Sequence, residues 1–340
     1  MLYSIQFLRG IAALLVVFHH TAYKGQVYNT GTFGWLTIGS SGVDLFFVIS
    51  GFIMCYTTHD KDITFTKFIM HRIKRIIPLY WFFSFAALFV YIFAPSLVNS
   101  SGGNTSIVDS FFLLPTESKY LVQNGWTLTY EFYYYIIFSL IILFLPVEKG
   151  KYIILAVVLF AFPCIGVFLK TDNLYINFLL SNWLVEFGFG VLLFLIYQKG
   201  LVNFKLGLVV FSTAFLMLIF VNQHPSLTIK IDRAFLIGIP MAMLFYSLLS
   251  FEFILKNRKN VISNIFEKIG DSSYSLYLSH PFVLSPVAII SNKIGVKNSS
   301  LFGLLLVGTA LIVGFLVYSC IEKRMIYFIR NKKIKVQLYS

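Results

Sequence analysis

Ile5-Gln6-Phe7-Leu8-Arg9-Gly10-Ile11-Ala12-Ala13-Leu14-Leu15-Val16-Val17-Phe18-His19-His20-Thr21-Ala22 is the stretch whose reading decides the fold. It is almost wholly apolar, with one cation near its start and two imidazoles near its end. A bilayer core is crossed by about 20 mostly apolar residues in helical form. The same ruler moved along the chain finds nine more such stretches: 40–57, 76–95, 126–146, 152–169, 175–197, 204–221, 234–254, 274–292 and 299–320. The second, with Asp44 and several glycines, and the ninth, with His280 and two prolines, are the most polar. The expectation is an all-α, polytopic helical bundle of about ten spans forming a single membrane-embedded domain over residues 1–340.

Composition agrees. Of 340 residues, 58% are hydrophobic and 12% charged, about half the charge of a soluble domain. Aromatics reach 18%, led by 38 Phe, and the mean hydropathy is +0.81. The net charge of +13 would suit nucleic acid if it studded a soluble domain. Here the cations cluster between apolar runs, which excludes that class and points to membrane orientation. With the N-terminus in the cytosol, 19 Lys and Arg fall on the cytosolic side and 7 on the other, Arg9 being inside the membrane. The cytosolic set includes Lys61, Lys67, Arg72, Lys74 and Arg75, then Lys149, Arg258 and Lys259, and a basic tail after Glu322. This asymmetry predicts two cytosolic termini and an even number of spans in a cell (cytoplasmic) membrane. The tail is expected to lie on the cytosolic membrane face. Connection 96–125, with Asn99-Ser100-Ser101-Gly102-Gly103-Asn104, reads as mobile polar punctuation. Cys55, Cys164 and Cys320 have no paired spacing, so neither a disulfide framework nor a zinc site is expected. No cleavable signal peptide is evident.

Ionisable groups within spans are costly and mark candidate sites. Arg9 and His20 are eleven residues apart, which turns about 1100°, within about 20° of three full turns, and rises about 16 Å. Both therefore share one helix face, while His19 points about 100° away. A plainer alternative has Arg9 snorkelling to the interface and His20 ending the helix. The loop His71-Arg72-Ile73-Lys74-Arg75-Ile76-Ile77-Pro78 carries two guanidiniums at i, i+3, a spacing suited to phosphate and equally to ordinary positive-inside charge. Asp44, in Gly42-Val43-Asp44-Leu45-Phe46-Phe47-Val48-Ile49-Ser50-Gly51, needs a cation, with Arg9 or His20 the expected partner; its glycines suit close helix packing. Glu131 opens the fourth span near its outer end, where it either orients a His or meets a sugar hydroxyl, or sits at the wet interface. Glu186 reads as structural. Tyr277 and His280 lie in Tyr274-Ser275-Leu276-Tyr277-Leu278-Ser279-His280-Pro281, where the proline frees a backbone carbonyl. There His280 is either a satisfied polar contact or a catalytic group. No GxxxxGK[ST], HExxH or GxSxG pattern occurs, so nucleotide hydrolysis, zinc proteolysis and serine hydrolysis lose support.

Taken together, Arg9 with His20, the Gly42–Gly51 run, Arg72-x-x-Arg75 before Pro78-Leu79-Tyr80, Trp126-Thr127-Leu128-x-x-Glu131 and Tyr274-Ser275-Leu276-Tyr277-Leu278-x-His280 resemble acyltransferase family 3. The likeness runs from Leu8 to about Glu322. It departs at Phe132, where many members carry a second acid. The resemblance implies transfer of an acyl group, acetyl above all, from cytosolic acetyl-CoA to a hydroxyl of a surface or lipid-linked polysaccharide. His20 and Arg9 would be its core pair, with Asp44 and Glu131 beside them, Arg72 and Arg75 on the donor, and no permanent cofactor or metal. A transporter or flippase of a glycan or small solute is the alternative, since buried charges and proline-broken spans suit that class too.

Overall fold

The structure is a computed structural model that describes residues 2–59, 61, 63–98, 103–144, 150–169, 171–257 and 261–329. Asn99 to Gly102, Lys149, Arg258, Lys259 and the basic tail from Arg330 lie outside the described residues. The long helices are α1 (Tyr3–Val27), α2 (Ser41–Thr58), α3 (Phe65–Phe93), α4 (Gly125–Phe144), α5 (Lys151–Phe168) and α6 (Trp183–Gln198). They continue with α7 (Phe204–Gln223), α8 (Ile239–Ser250), α9 (Val261–Asp271), α10 (Ser273–Lys293) and α11 (Ser299–Val317). The chain is thus an all-α polytopic membrane bundle. Among the described residues eight helices are long and apolar enough to cross a membrane. Of the ten expected spans, two fall short of that measure. Ala234–Ser250 is a shorter apolar helix, and α10 is long but interrupted by Ser, His, Pro281 and Pro286.

Contacts between helix ends sort the chain into two layers. At one end the carboxylate of Glu252 accepts the Tyr3 and Ser4 backbone N–H groups, each at 2.8 Å. Gln6 Nε2 donates to Asp271 at 2.7 Å, and His59 meets Gln198 at 3.2 Å. At the other end the Thr37 N–H donates to Asn222 at 2.9 Å, Thr32 donates to the Ser299 carbonyl at 3.0 Å and Asn182 donates to Asp232. These pairings are what alternate threading of antiparallel helices requires. Glu252 also supplies α1 with the N-terminal acceptor that its own sequence lacks, a favourable place for a carboxylate.

α2 is clamped between α1 and α6 by small residues. A Cβ on Gly42 would lie 2.3 Å from the Ala12 carbonyl oxygen, and one on Gly51 2.2 Å from that of Phe187. In lipid, association rests on packing of this kind, since apolar burial between helices gains little. The glycines of the Gly42–Gly51 run are therefore backbone contact points.

Two expectations need correction. The segment carrying Arg72 and Arg75 is not a loop: α3 begins at Phe65, with Thr64 Oγ1 accepting the Lys67 N–H. Lys, Arg, Ile and Met favour continuing that helix into the apolar run, so the cations sit on the first turns of one 29-residue rod. Connection 96–125 is also not mere punctuation. Its described part turns inward, with a short helix Ile107–Phe112 capped by Ser106. Tyr80 donates to the Ser110 carbonyl at 2.6 Å, and the Leu121 N–H donates to Ser110 Oγ at 2.8 Å.

Candidate functional site

That inward turn fixes the depth of α4. Pro281 has no N–H to offer the Tyr277 carbonyl one turn earlier. Asn124 takes the freed oxygen at 2.5 Å, just before α4 begins. Thr127 and the Tyr277 hydroxyl then meet at 2.8 Å. Of the two places the sequence leaves open for Glu131, the structure shows the inner one, partly buried on the wall of a cavity. There it accepts from Ser50 at 3.0 Å and from the hydroxyl of Tyr135, one turn along α4.

Glu131 borders a cavity of about 480 Å³ between α1, α2, α3, α4 and α10, a size that suits an organic ligand. Arg9, Lys61, Arg72 and Arg75 line it, and Glu131 is the one carboxylate among the described lining residues. Apolar and aromatic side chains complete the wall, among them Ile5, Phe46, Phe47, Tyr274 and Tyr277. Arg72 lies over the rings of Phe68 and Tyr135, 5.6 and 5.9 Å from their centroids. Its Nε is buried without a hydrogen-bond partner among the described residues. Arg9 donates to Gln6 at 3.3 Å, and Gln6 is itself held by Asp271. None of Arg9, Arg72 and Arg75 is within salt-bridge distance of a carboxylate among the described residues. Three guanidiniums on one wall, with Glu322 and Asp271 near enough to act electrostatically on Arg9, keep donors that could serve an anion.

The structure brings Arg9, Arg72, Arg75, Glu131 and Tyr277 to this cavity. His20 does not line it. Its ring lies 5.0 Å from that of His280, and His280 in turn lies 6.1 Å from Tyr277. His19 contacts His20 edge-on at 5.3 Å. The imidazole cluster therefore adjoins the cavity through Tyr277.

Asp44 pairs with neither Arg9 nor His20. Arg233 clasps it through Nε at 2.9 Å and Nη2 at 2.5 Å, and also donates to Ser40 at 3.1 Å. The reason is antiparallel threading: Arg9 near the start of α1 and Asp44 near the start of α2 belong to opposite ends of the bundle. His20 is at the right end but packs on His280. Arg233 directly precedes a π-helical turn, Ala234–Gly238, a widening common at functional positions, and its guanidinium covers Trp183. Glu186 is fully buried beside Asp44 and Gly238 and does not line the cavity.

Sequence reading missed Arg233, Tyr135, Ser50 and Glu322. Tyr135 was legible as the i+4 neighbour of Glu131. Arg233 is the cation that a carboxylate in a span demands, but nothing in its own sequence neighbourhood points to Asp44. Glu322 closes a second π-helical turn, Tyr318–Glu322, and accepts from Ser275 at 2.5 Å.

The fold and the site define a multi-pass membrane bundle with a cation-lined cavity next to a cluster of imidazoles. Comparison with known proteins narrows that class. Residues 2–319 match the Acyltransferase domain family (acyltransferase family 3), and the chain belongs to that family. It is 28% identical over 324 residues to the exopolysaccharide production protein ExoZ of Rhizobium meliloti, covering 89% of this chain and 94% of that one. Acyltransferase MdmB of Streptomyces mycarofaciens is 31% identical over 149 residues, 40% of this chain and 38% of its own. The peptidoglycan O-acetyltransferase OatA of Listeria monocytogenes is 27% identical over 180 residues, 46% of this chain and 26% of its own. No solved structure matches. The chain is a multi-pass membrane O-acyltransferase, which sets aside the transporter reading.

Proposed function

We propose that the protein transfers an acetyl group from cytosolic acetyl-CoA to a hydroxyl of a surface or lipid-linked polysaccharide in the cytoplasmic membrane. One observation carries the donor assignment: Arg9, Arg72, Arg75 and Lys61 all face the same cavity, with Glu131 the one carboxylate among the described lining residues. A coenzyme with phosphates at one end and a thioester on an uncharged arm matches this wall. Its phosphates bond Arg72 and Arg75, and the arm runs along the apolar side past Arg9. Charge asymmetry supports a cytosolic entrance, since Lys61, Arg72 and Arg75 belong to the cation-rich side. The polysaccharide acceptor is supported by what ExoZ and OatA are named for.

His20 is the general base in this reading. It takes the proton of the acceptor hydroxyl as the oxygen attacks the thioester carbonyl, and returns it to the departing thiolate when the C–S bond breaks. Arg9, about 16 Å along α1 from His20, faces the last phosphate of the donor. Glu131, held by Ser50 and Tyr135, fixes the wall on which the arm rests.

The test uses inverted membrane vesicles holding the protein and native glycan, given acetyl-CoA labelled in the acetyl group. Label is expected in the polysaccharide fraction and is expected to vanish with His20→Ala at normal membrane abundance. Undiminished labelling by His20→Ala would remove the mechanism. Labelling that does not depend on the protein would remove the reaction.

A further inference from the structure

We propose that His280 is the positioning residue for His20: its Nε2 accepts a hydrogen bond from a His20 ring N–H during turnover, leaving the other His20 nitrogen free as base. This rests on the reading of His20 as general base.

The argument begins with tautomer. His280 Nδ1 lies 3.1 Å from the Leu276 carbonyl oxygen. A carbonyl only accepts, so Nδ1 carries the proton and Nε2 of the neutral ring holds a lone pair. His280 is 0% exposed, and Nε2 has no hydrogen-bond partner among the described residues. A buried acceptor left unmatched costs about 1–3 kcal/mol, so its retention in the middle of a packed helix calls for a use.

The neighbourhood supplies one. The His20 ring is 5.0 Å from the His280 ring, tilted by 43°. That separation lies within a side-chain rotation of a ring N–H···N bond, which puts ring centroids roughly 5 Å apart when the donor–acceptor distance is about 3 Å. The His280 ring itself cannot turn freely: Leu276 holds Nδ1, and Tyr277 packs beside it at 6.1 Å. The backbone beneath is also pinned, because Asn124 binds the carbonyl that Pro281 releases. His280 is therefore a rigid acceptor facing a half-buried imidazole on α1. Which nitrogen of a histidine is protonated is set by what the other one bonds, and an unoriented base forfeits much of its effect.

Two substitutions separate this role from a packing role. In His280→Asn the side-chain amide keeps the bond to the Leu276 carbonyl and places nothing at Nε2. In His280→Gln the amide oxygen reaches the Nε2 position and can accept there. In the vesicle assay, His280→Asn is expected to lower the maximal labelling rate by about a hundredfold, with the half-saturating acetyl-CoA concentration changed by less than about twofold. His280→Gln is expected to keep about a tenth of the wild-type rate or more. Wild-type rates in His280→Asn, or equal loss in both variants, overturn the inference. His20→Ala in parallel keeps the two claims apart. If it stays active, the base assignment has failed; if it is dead while His280→Asn is normal, only the positioning role has failed. Should either His280 variant fail to fold, wild-type protein labelled with ¹⁵N in histidine gives the same answer. A ring-nitrogen coupling across an N–H···N bond that disappears in His20→Ala supports the proposal, and its absence from the wild type overturns it.

Discussion

Removing Arg233 is expected to hurt more than neutralising Asp44, although the two form one ion pair. Asp44 is 0% exposed, whereas the Arg233 side chain keeps 31% of its surface accessible. Arg233→Met leaves a carboxylate that water cannot reach, next to the buried Glu186. Breaking a buried pair in this way costs about 3–5 kcal/mol, and the partial exposure of Arg233 places the expected loss near 3 kcal/mol, or about a hundredfold in the folded-to-unfolded ratio. Asp44→Asn leaves a guanidinium that water can take up, together with its bond to Ser40 and its place over Trp183. That variant should lose only about 1 kcal/mol. Arg233→Met/Asp44→Asn should be more stable than Arg233→Met alone, because the stranded charge is gone. Denaturation of the detergent-solubilised protein followed by tryptophan fluorescence reads this directly, with Trp183 beneath the guanidinium as a local reporter. If Arg233→Met proves no less stable than Asp44→Asn, the clasp is a surface contact and the account of this end of the bundle is wrong.

Three further outcomes follow from the packing and the polar contacts. Gly51→Leu should abolish the folded protein, since its Cβ alone would come within 2.2 Å of the Phe187 oxygen; size-exclusion profiles after extraction check this. Tyr135→Phe should lower maximal acetyl transfer by about tenfold, because Glu131 then loses one of the two hydroxyls that hold it, worth about 1.5 kcal/mol when the acceptor is charged; an effect on expression with unchanged turnover would contradict that. Glu252→Ala removes the acceptor for two N–H groups of α1 and should destabilise that terminus by about 1 kcal/mol, seen as faster hydrogen exchange at residues 3–6 with the rest of α1 unchanged.

Much of this fold could be read from the chain because membrane spans announce themselves by length and hydropathy. The all-α bundle required little beyond length and hydropathy, although eight helices, not ten, reach the length and hydropathy of a span among the described residues, and the grouping of Arg72 and Arg75 with Arg9 rested on the family resemblance. What stayed hidden depended on contacts far apart in sequence. Asp44 announced its need for a cation, but nothing near it named Arg233, almost 190 positions away. Glu131 stayed open between the site and the interface because its position could be counted only from the end of a span. Its true depth is set by Asn124, which binds the carbonyl that Pro281 leaves free on α10. His280 was ambiguous for the same reason: only the placement of Leu276 and His20 around its ring shows which nitrogen is engaged and which is left open.

The account stands or falls on whether the arginine-lined chamber takes the coenzyme. Calorimetric titration of coenzyme A into the purified, detergent-solubilised protein measures this without any acceptor. Saturable binding is expected for the wild type, weakened by about 10-fold to 100-fold in Arg72→Ala and in Arg75→Ala, as loss of a charge-assisted bond to phosphate worth about 1.5–3 kcal/mol predicts. Equal affinity in the wild type and both variants would place the donor elsewhere and contradict the assignment of this cavity.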